Sequence, residues 1–113
     1  MQDIIEIEKQ DWRHHFPFKS TYEILKHSAE QYANQNAIEF LFKGDAEEKP
    51  IEINYRTLFK HVTQTANLFS SLGVRNTDVV SYILPNLPET HEVIWGAEAA
   101  GIVNALNPLL DGP

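Results

Sequence analysis

The sequence predicts an α/β fold in which an antiparallel hairpin and a βαβ unit are flanked by helices. Residues 37–53 contain two short apolar stretches separated by a polar, glycine-containing segment. Residues 55–72 repeat apolar side chains at steps of three and four, as an amphipathic helix does. Residues 79–106 read as an apolar run, a helix and a second apolar run. Within about 30 residues, that order is typical of a right-handed βαβ unit.

Residues 1–19 have no clean apolar period, and we predict an extended N-terminal arm. Three large aromatic side chains stand among its polar residues: Trp12, Phe16 and Phe18. Buried aromatics supply much apolar area, so we interpret the three as anchors that hold the arm against the body. A ligand-binding box is the alternative. The domain organisation that follows is an arm over residues 1–19 and a single body over residues 20–113.

The first predicted helix covers residues 21–32. Ser20 with Glu23 three positions later matches the capping box. In that motif the side chain of each residue accepts a hydrogen bond from the backbone N–H of the other. Apolar residues continue at helical spacing along one face. The pattern therefore indicates a helix that begins directly after the arm.

The predicted hairpin consists of residues 37–42 and 51–53. The first stretch alternates apolar and polar side chains, and the second repeats the pattern, as half-buried strands do. Residues 43–50 between them are polar and predict a solvated loop. We interpret Glu47 and Glu48 as the solvated tip of this loop and not as a metal site.

The long helix is predicted from residue 55 to Gly73, with Asn54 as its N-cap. Steps of three and four define its apolar face, which comprises Tyr55, Leu58, Phe59, Val62, Ala66, Phe69 and Leu72. Glycine typically ends a helix because it adopts the left-handed conformation at little cost.

The βαβ unit begins with Val79–Leu84, an almost continuous apolar run that predicts a strand covered on both faces. Asn86 stands three residues before Glu89, which predicts an Asn86 N-cap with Glu89 reaching back. Pro88 has its φ already set for the first turn, so the next helix is predicted to start near Pro88.

Two glycines shape the rest of this unit. Gly96 lacks a Cβ and is predicted to let the helix lie close on the sheet, while Gly101 is predicted to end the helix in the left-handed conformation. Ile102–Leu106 is the second predicted strand, and the sequence stops soon after it. Parallel sheets normally carry helices on both faces. We therefore expect an incomplete sheet and a truncated part of a longer protein.

Composition narrows the classes of function. Lys plus Arg number 9 and Asp plus Glu 16, a net charge of −7 that disfavours nucleic acid and anionic membrane surfaces. The absence of cysteine excludes disulfide scaffolds and thiolate metal sites. The acidic first ten residues do not match a secretion signal, and no run approaches the about 20 apolar residues of a membrane span. We expect a soluble, cytoplasmic protein without a transmembrane segment.

The histidines give no convincing metal motif. His91–Glu92 begins like the zinc motif H-E-x-x-H, but Trp95 occupies the position of the second histidine. Adjacent histidines diverge in any regular element, and two others fall on polar helix sides. We interpret these remaining histidines as exposed: His14, His15, His27 and His61.

The glycines give no phosphate cradle. Gly96 and Gly101 have the spacing of a Walker A pair, but Ile102 and Val103 stand where Lys-Ser or Lys-Thr is required. A nucleophile elbow of the G-x-S-x-G type is absent from the sequence. We assign no catalytic, cofactor-binding or metal-binding residue to this sequence.

One geometric rule points to a ligand. In parallel sheets, ligands collect beyond the carboxyl ends of the strands, which here are the turns at Asn86 and Asn107. Caps and turns account for both asparagines equally well. Either residue contacting a ligand is therefore a hypothesis that rests on this rule.

The order of these motifs resembles the N-terminus of the AMP-forming acyl-CoA synthetases, or fatty-acid–CoA ligases, of the adenylate-forming superfamily. The similarity runs over residues 21–110 and is carried by Tyr55, Leu72-Gly73-Val74, Asp78-Val79-Val80, Leu84-Pro85-Asn86, Pro88-Glu89, Ala100-Gly101 and Asn107-Pro108. Trp95 and the ending from Glu98 to Leu110 resemble fatty-acyl synthetases more than peptide-synthetase domains. Residues 20–113 are thus identified as the N-terminal portion of an AMP-binding domain.

The resemblance implies a two-step ligase in the full-length protein. A carboxylate and ATP give an acyl-adenylate and pyrophosphate, and coenzyme A then displaces AMP. ATP, Mg²⁺ and CoA are the implied cofactors, and a fatty or other carboxylic acid is the substrate. The family's phosphate loop, acyl pocket, ribose-binding acid and C-terminal lysine lie later in the chain. We therefore expect residues 1–113 to have a structural role, to need the rest of the parent chain as partner and to be inactive alone.

Two alternatives remain open. The chain is a stand-alone interaction or dimerisation module, with a homo-oligomer forming through uncovered apolar surface. Otherwise it belongs to an adenylation or luciferase-like relative that uses a different acceptor. These residues indicate neither the acyl chain length nor the acceptor nor the oligomeric state.

Overall fold

The computed structural model describes residues 3–109. The side chain of His15 lies outside the described part, as do residues 110–113. The predicted divergence of His14 and His15, and the apolar tail predicted around Leu110, therefore lie outside the described residues.

The arm contains two short helices, α1 (Ile4–Glu8) and α2 (Trp12–His15), so the prediction of an extended arm is wrong. Each helix begins after an aspartate whose side chain accepts a backbone N–H. Asp3 accepts from Ile5 at 3.2 Å, and Asp11 accepts from Arg13 at 2.9 Å. These caps satisfy backbone donors locally, which apolar periodicity does not reveal.

The Ser20 cap predicted at the next helix is confirmed, but Glu23 accepts from the Lys19 N–H and not from the Ser20 N–H of a reciprocal capping box. Helix α3 (Thr21–Gln31) begins after Ser20, whose Oγ accepts from the Glu23 N–H at 3.2 Å. The Glu23 carboxylate reaches back to the Lys19 N–H at 2.7 Å. The two side chains thus fix the point where the arm ends and the body begins.

The antiparallel hairpin is confirmed. Strands β1 (Asn36–Phe40) and β2 (Ile51–Asn54) pair with Phe40 opposite Ile51, and the register shifts between Asn36 and Ile38. Helix α4 (Tyr55–Ser71) follows β2 directly, because Asn54 Oδ1 accepts from the Thr57 N–H at 2.8 Å.

The predicted βαβ unit is also confirmed. Strand β3 (Val79–Tyr82), helix α5 (Pro88–Ala100) and strand β4 (Ile102–Ala105) follow in order, and the two strands pair in parallel. The described strands form two separate two-stranded sheets, so both sheets are incomplete. Val79 and Ile102 are 57% and 48% exposed. The prediction of a strand covered on both faces is therefore wrong for these residues, because no described element covers the second face.

The predicted Asn86 cap is wrong, although α5 does begin at Pro88. Leu87 is the N-cap residue and contributes no side-chain hydrogen bond. Instead, the Thr90 hydroxyl donates to the Pro85 carbonyl at 2.6 Å and ties the turn to the first helical turn. The Thr90 hydroxyl thus fixes the turn through a carbonyl, while no side chain of the described residues caps the first N–H groups of α5.

The two glycines of α5 act through close approach. A Cβ on Gly96 would lie 2.6 Å from the Thr65 side chain of α4, so Gly96 packs against a helix and not, as predicted, against the sheet. Gly101 has φ −160°, an extended value, so its predicted left-handed conformation is wrong. Its Cβ would lie 2.6 Å from the Asp78 carbonyl oxygen. Both positions exclude a side chain for steric reasons.

The core lies between α4 and α5. Leu58, Val62 and Ala97 are the buried apolar residues of the described chain. The accessible surface is 8692 Å², whereas a compact monomer of this mass exposes about 6,300 Å². The radius of gyration is 17.3 Å, against about 13 Å for a compact domain of this length. The residues therefore form a helical layer with a small core and unusually large exposed surface.

Candidate functional site

The carboxyl ends of β3 and β4 lie side by side and border a depression of about 360 Å³. Both predicted asparagines, Asn86 and Asn107, line it. The Leu106 N–H donates to the Tyr82 carbonyl at 3.0 Å, which holds the two strand ends together at this edge. The structure thus brings together the two residues singled out by the rule for parallel sheets.

The two asparagines differ in how they are held. Asn107 Oδ1 accepts from the Leu109 N–H at 2.9 Å, which is the local turn contact typical of asparagine. Asn86 is exposed and makes no hydrogen bond with a described residue. Its amide is therefore available to a ligand, and contact with a ligand stays a prediction for both residues.

His91 lines the same depression and is half-buried. It lies one helical turn from the start of α5. Within residues 3–109, no group of three or more His, Asp or Glu side chains is arranged to hold a metal ion. An imidazole beside an amide can donate or accept hydrogen bonds to a polar ligand.

A second cavity of about 720 Å³ separates the arm from the three long helices. All three predicted aromatics line it. Phe18 contacts the His27 ring at a centroid distance of 5.1 Å and the Phe16 ring at 5.4 Å, whereas Trp12 is 62% exposed. Phe18 therefore anchors the arm as predicted, and Trp12 does not. A ligand-binding box formed by the three aromatics stays a prediction, since all three line this cavity.

Polar contacts fix the walls of this second cavity. The Thr21 hydroxyl donates to the Glu98 carboxylate at 2.6 Å, and the Tyr22 and Thr63 hydroxyls are 3.0 Å apart. These contacts join α3 to α5 and α3 to α4. The cavity wall is consequently built from residues that are far apart in sequence.

His61 and Glu92 form a pair that the sequence does not reveal. His61 Nδ1 lies 2.7 Å from Glu92 Oε1, and the two side chains are 40% and 18% exposed. They belong to α4 and α5 and are 31 positions apart. His61 is therefore not a free surface histidine as predicted, since the crossing of the two helices gives it a partner.

The acidic loop also differs from prediction. Glu48 is not a solvated tip, because its carboxylate accepts backbone N–H donors from Phe42, Lys43 and Gly44 at 2.7, 2.8 and 3.0 Å. Loss of hydration raises the pKa of the Glu48 carboxyl, but hydrogen bonds from the N–H groups of residues 42–45 outweigh it. The net pKa lies below the ordinary value of a glutamate.

Sequence comparisons identify similar proteins. A family model described as "AMP-binding enzyme" matches residues 25–112. The marinolic acid–CoA ligase of Pseudoalteromonas sp. (strain SANK 73390) is 32% identical over 110 residues, which cover 97% of this chain and 17% of that protein. The acetyl-coenzyme A synthetase of Dictyostelium discoideum is 40% identical over 77 residues, covering 68% and 11%. The chain thus spans a small part of the length of these relatives.

Solved structures share the fold. VinN superposes with a TM-score of 0.67 at 24% identity, over 81% of this chain and 23% of that chain. The fatty acyl-adenylate ligase of Legionella pneumophila, solved with acyl adenylate and pyrophosphate, gives 0.69 at 20% identity, over 85% and 16%. The N-terminal subdomain of Klebsiella oxytoca NpsA gives 0.66 at 14%, over 83% and 23%. At these identities the similarity shows the fold alone.

Proposed function

This chain belongs to the AMP-binding enzyme family, and we propose that it forms the N-terminal portion of the AMP-binding domain of an acyl-CoA synthetase. The observation that carries the proposal is the match over 97% of the chain to an acid–CoA ligase of which it covers 17%. The βαβ unit and hairpin support it, because the same arrangement occurs in solved adenylate-forming ligases. Residues 1–19 and 20–113 are its proposed arm and domain portion.

The proposed full-length reaction has two steps. A carboxylate and ATP give an acyl-adenylate and release pyrophosphate, and the thiol of coenzyme A then displaces AMP to give acyl-CoA. ATP, Mg²⁺ and CoA are the proposed cofactors of that protein. The described residues do not fit a resident metal ion, since no three of their His, Asp or Glu side chains are arranged to hold one.

The role that we propose for this segment is to support a site completed by other residues. Its buried apolar side chains lie between α4 and α5, and α5 also contacts β4. Asn86, His91 and Asn107 are thereby presented at one edge of the sheet. We propose no catalytic residue in this chain and expect no ligase activity from it alone.

The acid substrate and the cellular location are two further parts of the proposal. The relatives differ in the acid that they are named for, one being a marinolic acid–CoA ligase and another an acetyl-coenzyme A synthetase. We propose a carboxylic acid substrate, with a fatty acid as the finer proposal. No helix within residues 3–109 is long and apolar enough to cross a bilayer. A cytoplasmic location remains our proposal.

A stand-alone interaction module is the second candidate, and exposed apolar residues favour it. Val79 and Ile102 on the parallel strand pair are 57% and 48% exposed, and Leu106 and Leu109 beyond β4 are 44% and 87% exposed. Apolar surface of this kind promotes association. A third candidate keeps adenylate formation but uses another acceptor, and the shared fold of a fatty acyl-adenylate ligase is compatible with it.

Carboxylate-dependent exchange between pyrophosphate and ATP tests the proposed role. The 113-residue chain is expected to show none with acetate or with a long-chain fatty acid, whereas a full-length acetyl-coenzyme A synthetase serves as the positive control. Exchange by the short chain above the no-carboxylate background would contradict the structural role.

The codons downstream of Pro113 separate the candidates. A Ser/Thr/Gly-rich loop followed by Pro-Lys-Gly supports the adenylate-forming ligase, and an immediate stop codon supports the interaction module. Sedimentation of the 113-residue chain adds a second readout. A defined dimer favours the module, and a well-behaved monomer removes the reason for proposing it.

A further inference from the structure

The connection between β1 and β2 places consecutive backbone N–H groups around one carboxylate. Phe42 N lies 2.7 Å from Glu48 Oε1, while Lys43 N and Gly44 N lie 2.8 and 3.0 Å from Oε2. Both oxygens of the carboxylate are thus engaged by the main chain. The Glu48 N–H also donates to the Asp45 carbonyl at 3.1 Å, which forms a turn over residues 45–48.

Successive N–H groups that point to one side form a concave anion-binding nest. Gly44 has φ +73°, a left-handed value that a residue with a side chain rarely adopts, and this turn of the backbone orients the following peptide group, whose N–H belongs to Asp45. The Asp45 N–H also lowers the pKa of the Glu48 carboxyl. Charge-assisted hydrogen bonds of this length are stronger than neutral ones. The geometry is therefore that of an anion site which already contains its ligand.

We propose that residues 42–44 form an anion nest whose built-in ligand is the Glu48 carboxylate, and that this pairing is a latch holding the β1–β2 connection closed. The latch is independent of the adenylate-forming reaction, since it lies on the hairpin and not at the carboxyl edge of β3 and β4. Glu48 is a positioning residue in this proposal and has no catalytic role.

The charges around the latch come from the same connection. The depression beside Glu48 is lined by Phe42, Lys43, Asp45, Ala46, Glu47 and Glu48. The side chain of Lys43 carries a charge opposite to that of the Glu48 carboxylate, while Asp45 and Glu47 add negative charge. Only the Glu48 carboxylate receives the three N–H donors, so we assign the latch to it and not to the neighbouring Glu47.

The sign of the pH dependence follows from the lowered pKa of the Glu48 carboxyl. The latch is fully present above the ordinary glutamate pKa of about 4.3 and is lost as the pH falls through the lower pKa of the folded protein. At neutral pH it is closed. Protonation removes the negative charge that holds the three N–H groups.

Amide proton NMR of the 113-residue chain tests the latch, with Glu47→Gln as the matched control for Glu48→Gln. In the wild type and in E47Q, the amide protons of Phe42, Lys43 and Gly44 are expected to shift upfield together on acidification. Their common midpoint is expected below the ordinary glutamate pKa. In E48Q these protons already lie upfield at neutral pH and no longer titrate as a group.

Two results would overturn the proposal. One is a joint titration that persists in E48Q or disappears in E47Q, because the ligand would then be another carboxylate. The other is the absence of any upfield shift in E48Q at neutral pH. The neutral-pH comparison needs no acid exposure, and amide resonances of α4 in the same spectra report whether each variant is folded.

Discussion

Gly96 of α5 lies against Thr65 of α4 so closely that a Cβ on Gly96 would come within 2.6 Å of the Thr65 Cβ and Cγ2 atoms. The Ala66 backbone nitrogen lies 3.2 Å from the same point. Gly96 itself is buried, and its neighbour Ala97 is completely buried. The two helices therefore cross at a distance that depends on the missing side chain.

Gly96→Ala is expected to destabilise the chain by about 1–3 kcal/mol, because the added methyl group must displace Thr65 or separate the helices. Alanine favours helix over glycine by about 1 kcal/mol, so helix propensity alone predicts the opposite sign. Urea unfolding followed by far-UV circular dichroism measures the change. The control is Ser70→Ala at an exposed α4 position, expected within about 0.5 kcal/mol. A Gly96→Ala variant as stable as the wild type would show that the helices separate freely.

The His61–Glu92 pair is expected to contribute a coupling free energy of about 1 kcal/mol between α4 and α5. A double-mutant cycle with His61→Ala and Glu92→Ala, followed by urea unfolding, isolates this energy from the loss of each side chain. The pair formed by Lys9 and Glu6, at 2.9 Å and about two-thirds exposed, is the matched control. Its coupling is expected to be below about 0.5 kcal/mol, because solvent screens exposed pairs. Equal couplings in both cycles would contradict a structural role for the His61–Glu92 pair.

Alanine substitutions of Asn54 and Asn86, which were both predicted to be N-caps, are expected to change the free energy of unfolding by different amounts. Asn54→Ala removes the cap on the Thr57 N–H and is expected to cost about 1 kcal/mol. Asn86→Ala removes no hydrogen bond within the described chain and is expected to stay within about 0.5 kcal/mol. Urea midpoints of the two variants give the comparison directly. A larger loss for Asn86→Ala would restore the capping role that the structure denies to residue 86.

Local signals predicted most of the elements correctly. Ser20 and Asn54 cap their helices because each side chain needs only an N–H within three residues. The apolar face of α4 follows from its steps of three and four, and its buried residues Leu58 and Val62 both belong to the predicted face. Pairing of β3 with β4 followed from the length of the connection between them.

The candidate site was less accessible to sequence reasoning. The rule for parallel sheets identified Asn86 and Asn107 as neighbours at one edge, and the structure places both at one depression. Sequence reasoning did not assign His91 to this site, because the H-E-x-x-H motif that it begins lacks the second histidine. Its position in the first turns of α5 could nevertheless have placed it at the same edge. The Glu48 nest had a weaker signal, a glutamate four residues after a glycine in a polar loop.

The sequence by itself predicted α3, α4, α5 and the four strands, because caps, turns and periodic apolar residues act over a few positions, whereas it missed the short helices α1 and α2. Tertiary structure decided which side chains meet across elements: Gly96 with Thr65, His61 with Glu92, and the two strand ends with each other. These contacts depend on the distance and crossing of α4 and α5, which result from close packing of many side chains at once. Gly96 illustrates both contributions, since its lack of a Cβ is written in the sequence, but only the packed helices show that Thr65 fills the space beside it.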